Sequence, residues 1–224
     1  MANVVAVPAN PALVNAVEEF INAVKHDRHN SAELFINMVD HMTDRMLGLF
    51  LLEPAKMTDL SGTQSKVIEF AVATGGKASH MLTRQVYKKV SNREFAPILK
   101  IFEAMYWPAG ADNDNHAQLQ FPVSDAFAAE FRAAVDCCLA GQGSANVERV
   151  LKVMDQLFND VIDNFFVASS KEVKIGFVTQ KALDIGVEGS RKAAHAVNHK
   201  VLKGLNDEQL KDFMVHYSAI VRQR

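Results

Sequence analysis

Two cysteines, Cys137 and Cys138, are all that the 224 residues contain, and they are neighbours. Adjacent thiols cannot staple distant parts of a fold, and they lack the spacing of a zinc-binding pair. A reducing, cytoplasmic setting is the expectation. Long apolar runs are missing as well. The longest, Met46 to Leu52, is interrupted only by glycine and falls far short of the roughly 20 residues of a membrane span. No basic residue precedes the apolar start Val4–Val7, so no export signal is expected. An excess of one charge is lacking too, because 24 Lys and Arg face 26 Asp and Glu. Attraction to nucleic acid or anionic lipid would then have to come from local segregation of charge.

Signatures of chemistry are equally scarce. There is no Gly-x-Ser-x-Gly, no phosphate-binding glycine loop and no dinucleotide fingerprint. No catalytic residue, cofactor or metal is assigned on the sequence. His26, Asp27, His29, Asp40, His41 and Asp44 offer donors that suit zinc or iron. However, neither half of the chain has the Glu-x-x-His pairs of a di-metal helical bundle, and a solvated surface is the expected role of these residues.

What is present points to a helical protein with a real core. Hydrophobic residues make up 49% and charged residues 22%, as in ordinary globular chains. Apolar residues recur at helical spacing, and no stretch alternates long enough to argue for a strand, so the expected class is all-α. The first helix is expected over 11–25, with Asn10 as its cap and Pro11 at its first position. The second is expected over 31–52, and two more over 60–74 and 77–90, divided by Gly75-Gly76.

The second half of the chain reads as a diverged copy of the first. Displaced by 115 positions, the segment 40–106 lies on 155–221 without a gap, and 11 of 67 positions are identical. Punctuation says more than identity. Ser91 and Glu94 form a capping-box pair with Val90 and Phe95 as its hydrophobic staple, and Asn206, Gln209, Leu205 and Leu210 repeat those roles. Phe95, Ile98, Leu99, Phe102, Met105 and Tyr106 fall on Leu210, Phe213, Met214, Tyr217, Ile220 and Val221, each series making one buried helical face. Pro97 is the blemish, expected to kink its helix. The chain thus divides into a repeat over 1–107, a linker over 108–122 and a repeat over 123–224. Each repeat has about five helices, and the two pack as one bundle. A shared core is expected because the apolar positions of the second helix, such as Leu34, Met38, Met42 and Phe50, cover about half its circumference.

One polar pattern recurs in both halves. Lys77, His80, Arg84 and Lys88 line a stripe opposite Ala78, Leu82 and Val86, and Lys192, His195, His199 and Lys203 repeat it opposite Ala193, Val197 and Val201. A basic stripe attracts phosphates or carboxylates. The first functional expectation is therefore a non-catalytic scaffold presenting symmetric faces to an anionic partner: a protein, a nucleic acid or lipid head groups. The competing role for the stripe is ion pairing to Asp40 and Asp155 on the acidic face of the second helix. A helix-turn-helix around Gly75 matches at Ala71, Gly75 and Met81 but fails at Thr74, Gly76 and Arg84. Nine methionines and 14 phenylalanines also allow a carrier or sensor of a hydrophobic ligand between the halves, with His80 and His195 as its polar contacts.

Overall fold

The computed structural model describes residues 2–58, 60–111, 115–174 and 176–224. Asp112–Asp114, within the expected linker, lie outside the described residues. The chain is mostly helical. Strand β1 (Asn3–Pro8) leads into α1 (Pro11–Lys25) and α2 (Ser31–Leu47). A π-helical turn over Gly48–Leu52 joins α2 to α3 (Glu53–Met57), and the long α4 (Gly62–Tyr87) follows. A 3-10 turn over Asn92–Phe95 opens α5 (Ala96–Met105), which runs into β2 (Tyr106–Trp107). The order then recurs. Strand β3 (Gln118–Pro122), α6 (Asp125–Leu139) and α7 (Val147–Ile162) come first. A second π turn over Asp163–Val167 leads to α8 (Ala168–Lys171), α9 (Phe177–Leu202), α10 (Asp207–Ser218) and β4 (Val221–Gln223).

Several bounds are separated by 115 residues: those of the two π turns, those of α4 and α9, and the starts of β1 and β3. The caps follow local chemistry. Asn10 accepts from the Leu13 amide at 2.9 Å and Ser124 from the Phe127 amide at 3.1 Å, each relieving an amide that has no partner within its own helix. Ser91 with Glu94 and Asn206 with Gln209 form complete capping boxes. Pro97 sits in the first turn of α5, where no amide is needed, and so it starts that helix without kinking it.

Three further expectations are corrected. The helix expected to end at Gly75-Gly76 runs unbroken through both glycines, and α9 likewise crosses Gly189 and Ser190. The glycines let neighbours come close. A Cβ on Gly76 would meet Leu47 at 3.5 Å, and one on Gly186 would lie only 2.2 Å from Leu82 Cδ1. With no turn at Gly75, the helix-turn-helix comparison fails outright. The second correction is the sheet, ordered β2-β3-β1-β4 and antiparallel throughout, with Val5 opposite Phe121 and Val5 also opposite Val221. Third, the segment read as linker contains β3.

The strands escape a simple alternation test because both faces of the sheet are covered. Val5, Val7, Leu119 and Phe121 enter the core, while Val4, Ala6, Gln118 and Gln120 are buried on the opposite face. There Arg222 donates to Gln118, and Arg224 donates to Gln120 and lies over the Trp107 ring, so the amides are not buried without partners. Among the described residues every strand pairing joins the first half to the second: β1 with β3, β1 with β4, and β2 with β3. The ends of the chain meet alongside, where the Ala2 amide donates to the Arg224 carbonyl at 2.7 Å.

One apolar cluster runs through both halves, from Val5 and Phe20 to Leu210 and Tyr217. Its first-half centre is a group of rings in which Phe20 and Phe35 stand 5.0 Å apart, and Tyr87 meets Phe35 edge-on at 4.5 Å. Edge-to-face rings add about 0.5–1.5 kcal/mol beyond the area they bury. Polar contacts also cross between halves. Gln209 donates to the Thr58 carbonyl at 2.8 Å, and Gln64 to the Val201 carbonyl at 3.1 Å.

Candidate functional site

Where α2, α4, α7 and α9 face one another, they leave a cavity of about 190 Å³. The two π turns shape it. A π turn carries one residue more per turn than an α-helix, and here it delivers consecutive large side chains to the cavity: Phe50 and Leu51 from one turn, Phe165 and Phe166 from the other. Small residues keep it open, with Ala71, Gly75 and Ser79 on α4 and Gly186, Ser190 and Ala194 on α9. Larger side chains there would fill the space.

Among the described residues no charged side chain lines the cavity. Five of the hydroxyls on its wall are engaged locally. Thr43 and Ser79 share a hydrogen bond at 2.9 Å, Tyr87 and Ser169 one at 3.2 Å, and Ser190 donates to the Gly186 carbonyl at 2.9 Å. Burial pushes the Tyr87 hydroxyl up to about 12, against the pull of its bond to Ser169. The cavity is therefore an apolar, neutral chamber with a few hydroxyls. His80 and His195, expected as polar contacts of a bound ligand, do not line it; their neighbours Ser79 and Ala194 do.

The polar stripes lie on the outer sides of α4 and α9, and carboxylates face five of their eight residues. His80 stands 3.7 Å from Asp40 and 3.5 Å from Asp44. His195 lies 2.6 Å and His199 3.3 Å from the same oxygen of Asp155. Lys192 pairs with Glu188 at 3.3 Å and Lys203 with Glu148 at 3.0 Å. Lys77, Arg84 and Lys88 remain exposed. A face whose cations already meet anions has less to offer an external phosphate.

Asp40 and Asp155 sit 115 positions apart in contrasting surroundings. Asp155 Oδ1 accepts from Asn198 at 2.9 Å while its Oδ2 faces both histidines. Asp40 Oδ1 and His80 Nε2 are buried with no hydrogen-bond partner among the described residues. Burial raises the Asp40 pKa above its ordinary value, opposed by His80 and then Arg84. The difference follows from sequence: Thr83 and Arg84 stand where the second half has Asn198 and His199.

The histidines near the first loop behave as expected of a surface. His26, Asp27 and His29 are exposed, and Asp27 accepts from Asn92 at 2.6 Å. Cys138 is buried and Cys137 half-buried, both as free thiols. No helix among the described residues is long and apolar enough to cross a membrane. No family model, curated protein or solved structure matches this chain.

Proposed function

We propose that the protein is a non-catalytic carrier or sensor that holds a small, neutral, apolar molecule between its two halves. The apolar cavity of about 190 Å³ carries this reading. An engineered apolar cavity of roughly 150 Å³ stays dry and takes up benzene, so a chamber of this size and lining suits a compact ring system or a short branched chain. A charged ligand would lose its hydration with nothing to replace it. The cavity draws side chains from both halves at matching places, Phe50 with Phe165 and Leu82 with Val197. This supports an origin by internal duplication, with the two repeats sharing one core. The free adjacent thiols fit a cytoplasmic setting.

Binding of an anionic partner to the stripes is the weaker reading, because carboxylates face His80, Lys192, His195, His199 and Lys203. The experiment is a thermal-shift series with benzene, toluene and indole, run beside native mass measurement of the purified protein. A ligand at a hundredfold excess over its Kd stabilises by about 2.7 kcal/mol. Wild type should gain stability, or carry a bound apolar molecule, and cavity-filling Ala71→Phe and Ala194→Phe should abolish either signal. Failure of every probe, with no co-purifying molecule, would remove the reading.

A further inference from the structure

Asp155, His195 and His199 share a geometry that neither an ion-paired surface nor an anion site requires. Among the described residues they form the one group of three or more His, Cys, Asp or Glu whose donor atoms all lie within 4.8 Å of one another. We propose that these three residues bind one borderline transition-metal dication, with Zn(II) as the reference ion.

The residue types fit. His195 and His199 are four apart on α9, so one helical face presents both rings, and their centroids stand 4.0 Å apart. Asp155, on α7, supplies a carboxylate oxygen from across the helix pair. Two imidazoles and a carboxylate are a donor set that suits zinc, and a tetrahedral ion then keeps one position for water. With bonds of about 2.0–2.1 Å, tetrahedral donors stand roughly 3.3 Å apart. His199 Nε2 already lies 3.3 Å from Asp155 Oδ2. His195 Nδ1, at 2.6 Å, would have to swing outward by about 0.7 Å to reach that spacing, and its side chain is 59% exposed.

The surroundings support the ion. Asn198 is only 3% exposed and donates to the other carboxylate oxygen at 2.9 Å. That is the outer-shell bond that fixes a ligand's orientation. The nearest cations of the stripe, Lys192 and Lys203, are each matched by their own glutamate. Neither lysine therefore adds an unmatched positive charge beside the trio. The equivalent place in the first half cannot do the same, since Arg84 replaces His199 and brings a fixed positive charge toward Asp40. One ion per chain is expected. It would clip α7 to α9, and the proposal is independent of what fills the cavity.

The test uses the full chain stripped of metal with EDTA and then titrated with ZnCl2. The metal-to-protein ratio is measured after dialysis, and thermal melts are recorded with and without zinc. Wild type should retain one equivalent of zinc and melt higher with it. His195→Ala and His199→Arg alter surface side chains, so both should fold and lose the bound zinc and the zinc-dependent shift. Asn198→Ala, which removes only the orienting donor, should weaken affinity about 10–100-fold. A double Cys137→Ser, Cys138→Ser variant should bind as wild type does. The assignment is overturned if wild type shows no saturable zinc binding. It is equally overturned if His195→Ala and His199→Arg bind as wild type does, or if the cysteine variant is the one that loses the ion.

Discussion

The hydroxyl of Tyr217, near the end of α10, donates to the backbone carbonyl of Phe50 at 2.6 Å. Phe50 lies in the first π turn, and His216 beside Tyr217 engages the preceding Leu49 carbonyl at 2.9 Å. A side chain of the second half thus anchors the turn that supplies Phe50 to the cavity wall. Tyr217→Phe leaves a buried carbonyl short of its donor and should cost about 1–3 kcal/mol. The urea denaturation midpoint measures this. A change indistinguishable from zero would mean that the π turn does not depend on α10.

Alkaline pH should unfold the protein through its buried phenols. Burial raises Tyr87 from 10.0 to about 12, and Tyr217 is pushed well above 10.0 in the same direction. The folded state therefore retains these protons more strongly than the unfolded chain does. The stability linked to Tyr87 is complete below about pH 10 and is lost as pH climbs from about 10 toward 12. Denaturation midpoints across that window should fall, and less steeply in Tyr87→Phe.

The contrast between Asp40 and Asp155 gives a sign test. Asp40 has a raised pKa, so its ionised form costs stability at neutral pH, and the cost is relieved as pH falls through the raised value. Asp40→Asn should be neutral or stabilising at pH 7, with its difference from wild type shrinking in acid. Asp155→Asn removes the carboxylate that Asn198, His195 and His199 face and should destabilise by about 1–3 kcal/mol. Equal effects in parallel denaturant titrations would refute the contrast.

Two glycines of α9 should respond oppositely to alanine. Gly189 has nothing within 4 Å of its would-be Cβ, so Gly189→Ala should stabilise the helix by about 0.5–1 kcal/mol. At Gly186 the added carbon forces Leu82 to turn, and Leu82 lines the cavity. Gly186→Ala should therefore weaken uptake of the apolar probes even where thermal stability is little changed. Probe affinity, set beside the melting temperature, separates the two effects.

Caps and helical faces were the legible part of this fold, because both depend on neighbours a few residues away. Asn10, Ser91 and Asn206 announce their helices by local hydrogen bonding alone. What the sequence hid depends on distant partners. Gly75 and Gly76 look like a break until Leu47 is found against them. Asn3–Pro8 shows no useful alternation because Arg222 and Arg224, more than 200 residues away, help to cover its second face. Leu99, expected to match Met214 in the core, is only half-buried, while Ile98 beside it is fully enclosed. In the candidate metal trio the spacing of His195 and His199 was visible, but it was absorbed into a basic stripe. Only the packing of α7 on α9 brings Asp155 to them.

The pairing of the sheet has a consequence for each half taken alone. Among the described residues β1 bonds only to β3 and β4, and β2 only to β3, so no strand pair described lies within one half. A fragment ending before β3 would carry unpaired strand edges, a known template for self-association. Such a fragment should be driven to dimerise or aggregate, and in the intact chain the two halves should melt in one cooperative transition.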